Sequence, residues 1–250
     1  METLKGKNIL IIGATGGIGS QTAMLLKGSG ANLFLTGRDA TKLGQIASDC
    51  KVAADNTFIL DISNAAVYQL KEKYFQQLST IDILINAAGI GIIKTMETLD
   101  EQDFLRSLNY NLYAPFLLLK AFLPAMKELK KGLIINIPGV LGKVPMAGAA
   151  AYSASKYGLV GMMQSVREEL KRTDIRITNL FLGGVDSPFG TTSGSQNDQQ
   201  TPKPLVLAAA CRVLAKWCCS LLITRLFNIM FFDKTRYLSC LNIWQFVFVL

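Results

Sequence analysis

Asn8-Ile-Leu-Ile-Ile12 runs directly into Gly13-Ala-Thr-Gly-Gly-Ile-Gly19, and a helical pattern follows from Gly17. Four consecutive aliphatic residues make a strand suited to burial on both faces, as in a parallel sheet. Glycines at 13, 17 and 19 let the chain turn tightly and bring backbone N–H groups against an anion. The N-terminus of the following helix adds partial positive charge. A glycine run alone also marks ordinary strand-to-helix turns. On the first βα turn, with the spacing G-x-x-x-G-x-G, it points to a dinucleotide cradle formed by Gly13, Thr15, Gly16, Gly17, Ile18 and Gly19.

Outward from this turn, short β-rich runs alternate with helical patterns. The strands fall at Asn8 to Ile12, Asn32 to Thr36, Thr57 to Leu60, Ile81 to Ile85, Leu133 to Ile137 and Ile175 to Leu180. Helices are expected at Gly17 to Ser29, Ala40 to Asp49, Asn64 to Leu78, Asp100 to Lys130 and Ala151 to Arg172. The alternation predicts repeated βαβ units, hence an α/β fold with a doubly wound, Rossmann-like parallel sheet and helices on both faces. Pro115 would clash with the carbonyl four residues back, so the Asp100 to Lys130 helix is expected to be two segments with a kink or break near Asn111.

The chain has 250 residues, half of them hydrophobic, enough for a sizeable core. It contains no histidine, which excludes an imidazole general base, a Ser-His-Asp triad and any His-containing metal site; no metal is expected. The net charge of +8 comes from scattered cations without a basic block, so nucleic acid is not an expected partner. Five cysteines without metal-like spacing argue for a reducing compartment. The first residues carry no long apolar stretch before Gly13, so no signal peptide is expected, and a cytoplasmic location is the default.

At the end of the second strand, Leu35-Thr-Gly37-Arg38 places a cation where an acidic residue would hold the 2′-hydroxyl of NAD. Arg38 can pair with a 2′-phosphate instead, which favours NADP over NAD; the alternative is a solvated surface arginine. Tyr152-Ser-Ala-Ser-Lys156 puts a phenol and an ammonium on one helix face. The ammonium would favour tyrosinate and make the phenol an acid/base near neutral pH. An isolated pair of this kind is otherwise a tyrosine stacked on a lysine stem.

With Gly13-x-x-x-Gly17-Ile-Gly19, Asn86-Ala-Ala-Gly89, Asn111 and Tyr152-x-x-x-Lys156 in this order, the chain resembles the single-domain short-chain dehydrogenase/reductase family over about residues 5 to 189. The resemblance implies an NADP(H)-dependent oxidoreductase interconverting a small-molecule carbonyl and an alcohol. Tyr152 would be the catalytic acid/base, and Lys156 would bind the nicotinamide ribose and lower the Tyr152 pKa. Asn111 would hold a relay water, although a purely structural role at the helix kink is an equal reading. Asp61 and Ile62 would flank the adenine, and Asn86 and Gly89 would shape the cofactor channel. Val185 and Ser187, within Leu182-Gly-Gly-Val-Asp-Ser-Pro-Phe189, would meet the nicotinamide. The family also implies a homodimer or homotetramer.

Two departures stand out. The family places a catalytic Ser thirteen residues before its Tyr, where this chain has Gly139. Losing one donor to a developing oxyanion costs about a hundred- to a thousand-fold in rate, so a non-catalytic dinucleotide-binding protein is the alternative reading. Beyond residue 189 no family pattern is recognisable. Residues 1 to 189 are therefore read as the dinucleotide-binding and catalytic domain and residues 190 to 250 as an atypical apolar tail. Both tryptophans and four of the five cysteines lie in that tail. A shifted reading frame or replaced sequence would account for this. The rival reading is an amphipathic tail contacting membrane, with Arg212, Lys216 and Arg225 interrupting its apolar run.

Overall fold

A computed structural model describes residues 4–62 and 80–183, together with the backbone of 228–231. The strands are β1 (Asn8–Ile12), β2 (Asn32–Gly37), β3 (Thr57–Ile59), β4 (Ile83–Asn86), β5 (Lys131–Asn136), β6 (Asp174–Leu182) and β7 (Asn228–Phe231). The helices are α1 (Gly17–Leu26), α2 (Ala40–Cys50), α3 (Glu101–Leu108), α4 (Ala114–Glu128) and α5 (Ala150–Glu169). The seven strands among the described residues are all parallel, in the order β3-β2-β1-β4-β5-β6-β7. The order reverses between β1 and β4, and in such sheets ligands bind beyond the carboxyl ends of the strands at that switch point.

The core lies on both faces of the sheet because successive strand residues point to opposite sides. Leu10 and Ile12 join a cluster with Phe34, Phe58 and Leu84, packed against Leu117, Leu118 and Phe122 of α4 and Leu159 and Met163 of α5. Ile9 and Ile11 point the other way, to Ala23 and Leu26 of α1 and Leu43 and Ala47 of α2. Burying each such aliphatic side chain contributes about 1.5–3 kcal/mol. The all-apolar run of β1 is thus a two-sided strand, and its four aliphatic residues are inaccessible to solvent.

The expected strands all form, with edges shifted by at most two residues: β4 starts at Ile83 rather than Ile81, and β6 runs on to Leu182. The expected helix at Asn64 to Leu78 lies outside the described residues. The Asp100 to Lys130 helix does not break. It passes through a π turn, Asn109–Tyr113, in which the Ala114 N–H bonds to the Asn109 carbonyl. Pro115 has no N–H to donate back, and the wider turn accommodates it. The seventh strand, β7, was not legible: residues from the stretch read as an unmatched tail pair with β6 along Asn179 to Leu182. Among the described residues no helix is long and apolar enough to cross a membrane.

Candidate active site

The cradle is built by close approach. Gly13 has a φ of +80°, and a Cβ there would lie 2.8 Å from the Ala88 backbone. A Cβ on Gly19 would come within 2.2 Å of the Gly13 carbonyl oxygen, so helix α1 can start this close to β1 only without a side chain. Ala14 N–H donates to the Thr36 carbonyl at 2.7 Å and Gly16 N–H to the Gly13 carbonyl at 3.0 Å, which fixes the turn. Thr15 packs its side chain against Gly37. The N-terminus of α1, which carries Gly17 and Ile18, is preceded by Gly16 and receives no side-chain cap. An uncapped helix start opening on a glycine turn that side chains cannot fill suits a pyrophosphate.

Along the cleft, Asp61 and the buried Ile62 follow β3. Asn86 ends β4, and Gly89 lies in the segment after it, which returns to β1 through the Ala87 N–H to the Ile12 carbonyl at 3.0 Å. Val185 and Ser187 lie outside the described residues. Asn86 is buried and donates from Nδ2 to Oδ1 of Asn136 at 3.3 Å. Register aligns Asn86 with Asn136 and Asn136 with Asn179, so three buried asparagines cross β4, β5 and β6 in one row. Among the described residues, Asn86 Oδ1, Asn136 Nδ2 and Asn179 Oδ1 find no hydrogen-bond partner. Buried amide groups normally find partners, so a polar ligand group or water suits this end of the sheet. Nothing in the sequence singled out Asn136 or Asn179. Their common register is visible only once the strands are paired.

Tyr152 and Lys156 sit in the first two turns of α5, side by side, with Lys156 Nζ 5.5 Å from the Tyr152 ring centroid. Lys156 is 3 % exposed, and its Nζ donates to the Ile137 carbonyl at 3.2 Å. Burial pulls the ammonium down to about 8, since a low dielectric disfavours the charged form. The same burial pushes the Tyr152 phenol above the ordinary tyrosine range. The net shift is opposite to the one expected from the neighbouring ammonium alone. Desolvation prevails, and the phenol carries its proton at neutral pH.

Asn111 is 1 % exposed and lies in the π turn. Its Oδ1 accepts from the Ile90 N–H at 2.9 Å, while Nδ2 donates to the Ile90 carbonyl at 2.9 Å and to Ser155 Oγ at 3.1 Å. Ser155 Oγ donates to the Tyr152 carbonyl at 2.7 Å. Asn111 therefore ties the segment after β4 to the helix that carries Tyr152. Ser155 is committed to this network and cannot replace a hydroxyl at position 139. Gly139, after β5, has a φ of +73°.

Arg38 follows β2 and is exposed. It reaches Tyr110, a residue that no sequence motif marked.

A doubly wound sheet with a glycine cradle at its switch point and a half-buried Tyr152 beside the buried Lys156 defines a Rossmann-type oxidoreductase scaffold. The chain belongs to the short-chain dehydrogenase family, whose pattern it matches over residues 7–198, past the break at residue 189 read from the sequence. It is 32% identical over 214 residues to an uncharacterised oxidoreductase of Staphylococcus saprophyticus, covering 84% of this chain and 92% of that protein. It is 34% identical over 187 residues to a 3-oxoacyl-[acyl-carrier-protein] reductase of Rickettsia typhi, covering 75% of this chain and 76% of that one. Its structure superposes on that of a metagenomic short-chain oxidoreductase in complex with NADP, with a TM-score of 0.77 at 30% identity, covering 92% of this chain and 98% of the other.

Proposed function

We propose that this protein interconverts a small-molecule carbonyl and an alcohol using NADP(H). When bound, the dinucleotide supplies or accepts the hydride. The chain's own residues do the rest. Gly13 to Gly19 receive the pyrophosphate, Asp61 and Ile62 flank the adenine, and Arg38 offers its guanidinium to the 2′-phosphate. Tyr152 gives its phenolic proton to the carbonyl oxygen in reduction and takes it back in oxidation. Lys156 places a buried positive charge beside the phenol, which stabilises negative charge developing there. Asn111 holds the Tyr152 helix against the segment after β4 and thereby fixes the geometry of the proton donor.

The observation that carries this reading is the buried Lys156 ammonium beside the Tyr152 ring. Burying a lysine with a single carbonyl partner is costly unless its charge is used. The relatives named above include an NADP complex and a ketoacyl reductase, and they support the same class of chemistry. Single-turnover oxidation of NADPH with a panel of ketones tests the reading, with oxidation expected in the native chain. Tyr152→Phe should lower that rate by about a hundred- to ten-thousand-fold while leaving NADPH binding in place. NADPH binding without oxidation by any ketone would instead support the non-catalytic reading, which Gly139 favours.

A further inference from the structure

Arg38 and Asp61 follow successive strands, β2 and β3, and Tyr110 stands between them. Arg38 Nη1 donates to Tyr110 Oη at 3.3 Å, and its guanidinium carbon lies 5.4 Å from the Tyr110 ring centroid. Tyr110 Oη in turn donates to Asp61 Oδ2 at 3.2 Å. A phenolic hydroxyl has one proton and two lone pairs, so it can accept from the arginine while giving to the carboxylate. The ring face adds cation–π attraction within its effective range of about 6 Å.

The arrangement keeps cation and carboxylate apart. Among the described residues, no carboxylate lies within ion-pair distance of Arg38. A direct Arg38–Asp61 pair would neutralise the guanidinium and turn its fork of donors away from an incoming anion. A neutral phenol between them orients both side chains and removes charge from neither. Tyr110 belongs to the π turn, next to the buried Asn111, so the turn sets where its side chain starts.

We infer that Tyr110 is a specificity-positioning residue: it holds Arg38 ready for the 2′-phosphate and keeps Asp61 from pairing with it. Preference for the phosphorylated dinucleotide thus depends on Tyr110 as well as Arg38. The inference rests on the NADP(H) reading above.

Equilibrium titration of the full chain with NADPH and with NADH tests it, using Arg38→Ala, Tyr110→Phe, Tyr110→Leu and the Arg38→Ala/Tyr110→Phe double variant. Removing the hydroxyl in Tyr110→Phe should weaken NADPH about five- to ten-fold, the scale of one ordinary hydrogen bond, and leave NADH within about two-fold. Tyr110→Leu, which also removes the ring, should lose more NADPH affinity. In the Arg38→Ala background, Tyr110→Phe should leave the NADPH-to-NADH ratio unchanged, because the two residues act through one another. Equal losses for both dinucleotides, or none, in the Tyr110 variants would overturn the inference. If Arg38→Ala shifts the ratio and neither Tyr110 variant does, the inference alone fails. If Arg38→Ala leaves the ratio unchanged, the NADP(H) reading fails with it.

Discussion

Gly139 faces the hydroxyl of Tyr152: a Cβ added to Gly139 would lie 3.8 Å from Tyr152 Oη and 3.7 Å from the Leu182 carbonyl oxygen. Space for a side chain therefore exists beside the proposed proton donor. The obstacle is the backbone, since φ +73° with ψ 168° lies in a region that essentially only glycine adopts, and forcing a Cβ there costs on the order of 1–3 kcal/mol. Gly139→Ser is expected to raise ketone turnover by about a hundred- to a thousand-fold and to lower unfolding stability by about 1–3 kcal/mol. Gly139→Ala should show the same destabilisation with no gain in rate. Steady-state NADPH oxidation and urea unfolding on both variants check this, and equal rates in the two would show that the hydroxyl does nothing there.

Lys156 titrates near 8 in the fold against an ordinary value of 10.5. Its folded-state pKa is depressed, so above pH 10.5 the group is neutral in both states and costs nothing. As pH falls from 10.5 through about 8, the unfolded chain binds a proton that the folded chain resists, and stability drops. Lys156→Met removes that penalty. The variant is expected to be more stable than the native chain at pH 7 by about 1–3 kcal/mol, with the difference shrinking between pH 8 and 10.5. Urea unfolding of both chains from pH 7 to 10.5 measures it. A difference that does not change across this range would refute the assignment.

Loss of the Lys156 charge should also slow reduction. Turnover is expected to fall as pH rises through about 8, because the charge beside Tyr152 disappears while the phenol keeps its proton. A pH–rate profile that is flat from 7 to 9 would contradict the electrostatic role given to this lysine.

Asn111 is a structural tie as well as a site residue. Asn111→Ala removes hydrogen bonds to Ile90 N, Ile90 O and Ser155 Oγ and leaves buried groups without partners. A loss of about 2–4 kcal/mol is expected, read by thermal or urea unfolding, together with reduced turnover. Unchanged stability would restrict the residue to a relay role.

The two cradle positions should respond differently to a methyl group. Gly19→Ala drives a Cβ to 2.2 Å from the Gly13 carbonyl oxygen, whereas in Gly16→Ala the nearest atom, again Gly13 O, is at 3.4 Å. Gly19→Ala should cost about 1–3 kcal/mol and lower NADPH affinity at least about ten-fold. Gly16→Ala should stay within about 1 kcal/mol of the native chain. Equal behaviour of the two variants in NADPH titrations would mean that the close approach is not what shapes the cradle.

The amino-acid sequence by itself determined the strand-and-helix alternation, the glycine cradle, the Tyr152–Lys156 spacing and a helix irregularity near Asn111. Each follows from local rules: side-chain periodicity, the need for glycine at a close approach, the four-residue helical repeat, and a proline without an N–H. Only the tertiary structure decided the rest. Arg38 and Tyr110 are 72 residues apart, and the asparagines of β4, β5 and β6 come into one row through strand pairing, which no local pattern encodes. The direction of the Tyr152 shift was misread because a neighbouring charge is visible in the spacing, whereas the extent of desolvation is not. The pairing of β7 with β6 went unseen for a similar reason: the edge of a sheet is chosen by the strand already in place, and the four residues of β7 carry no signature of their own.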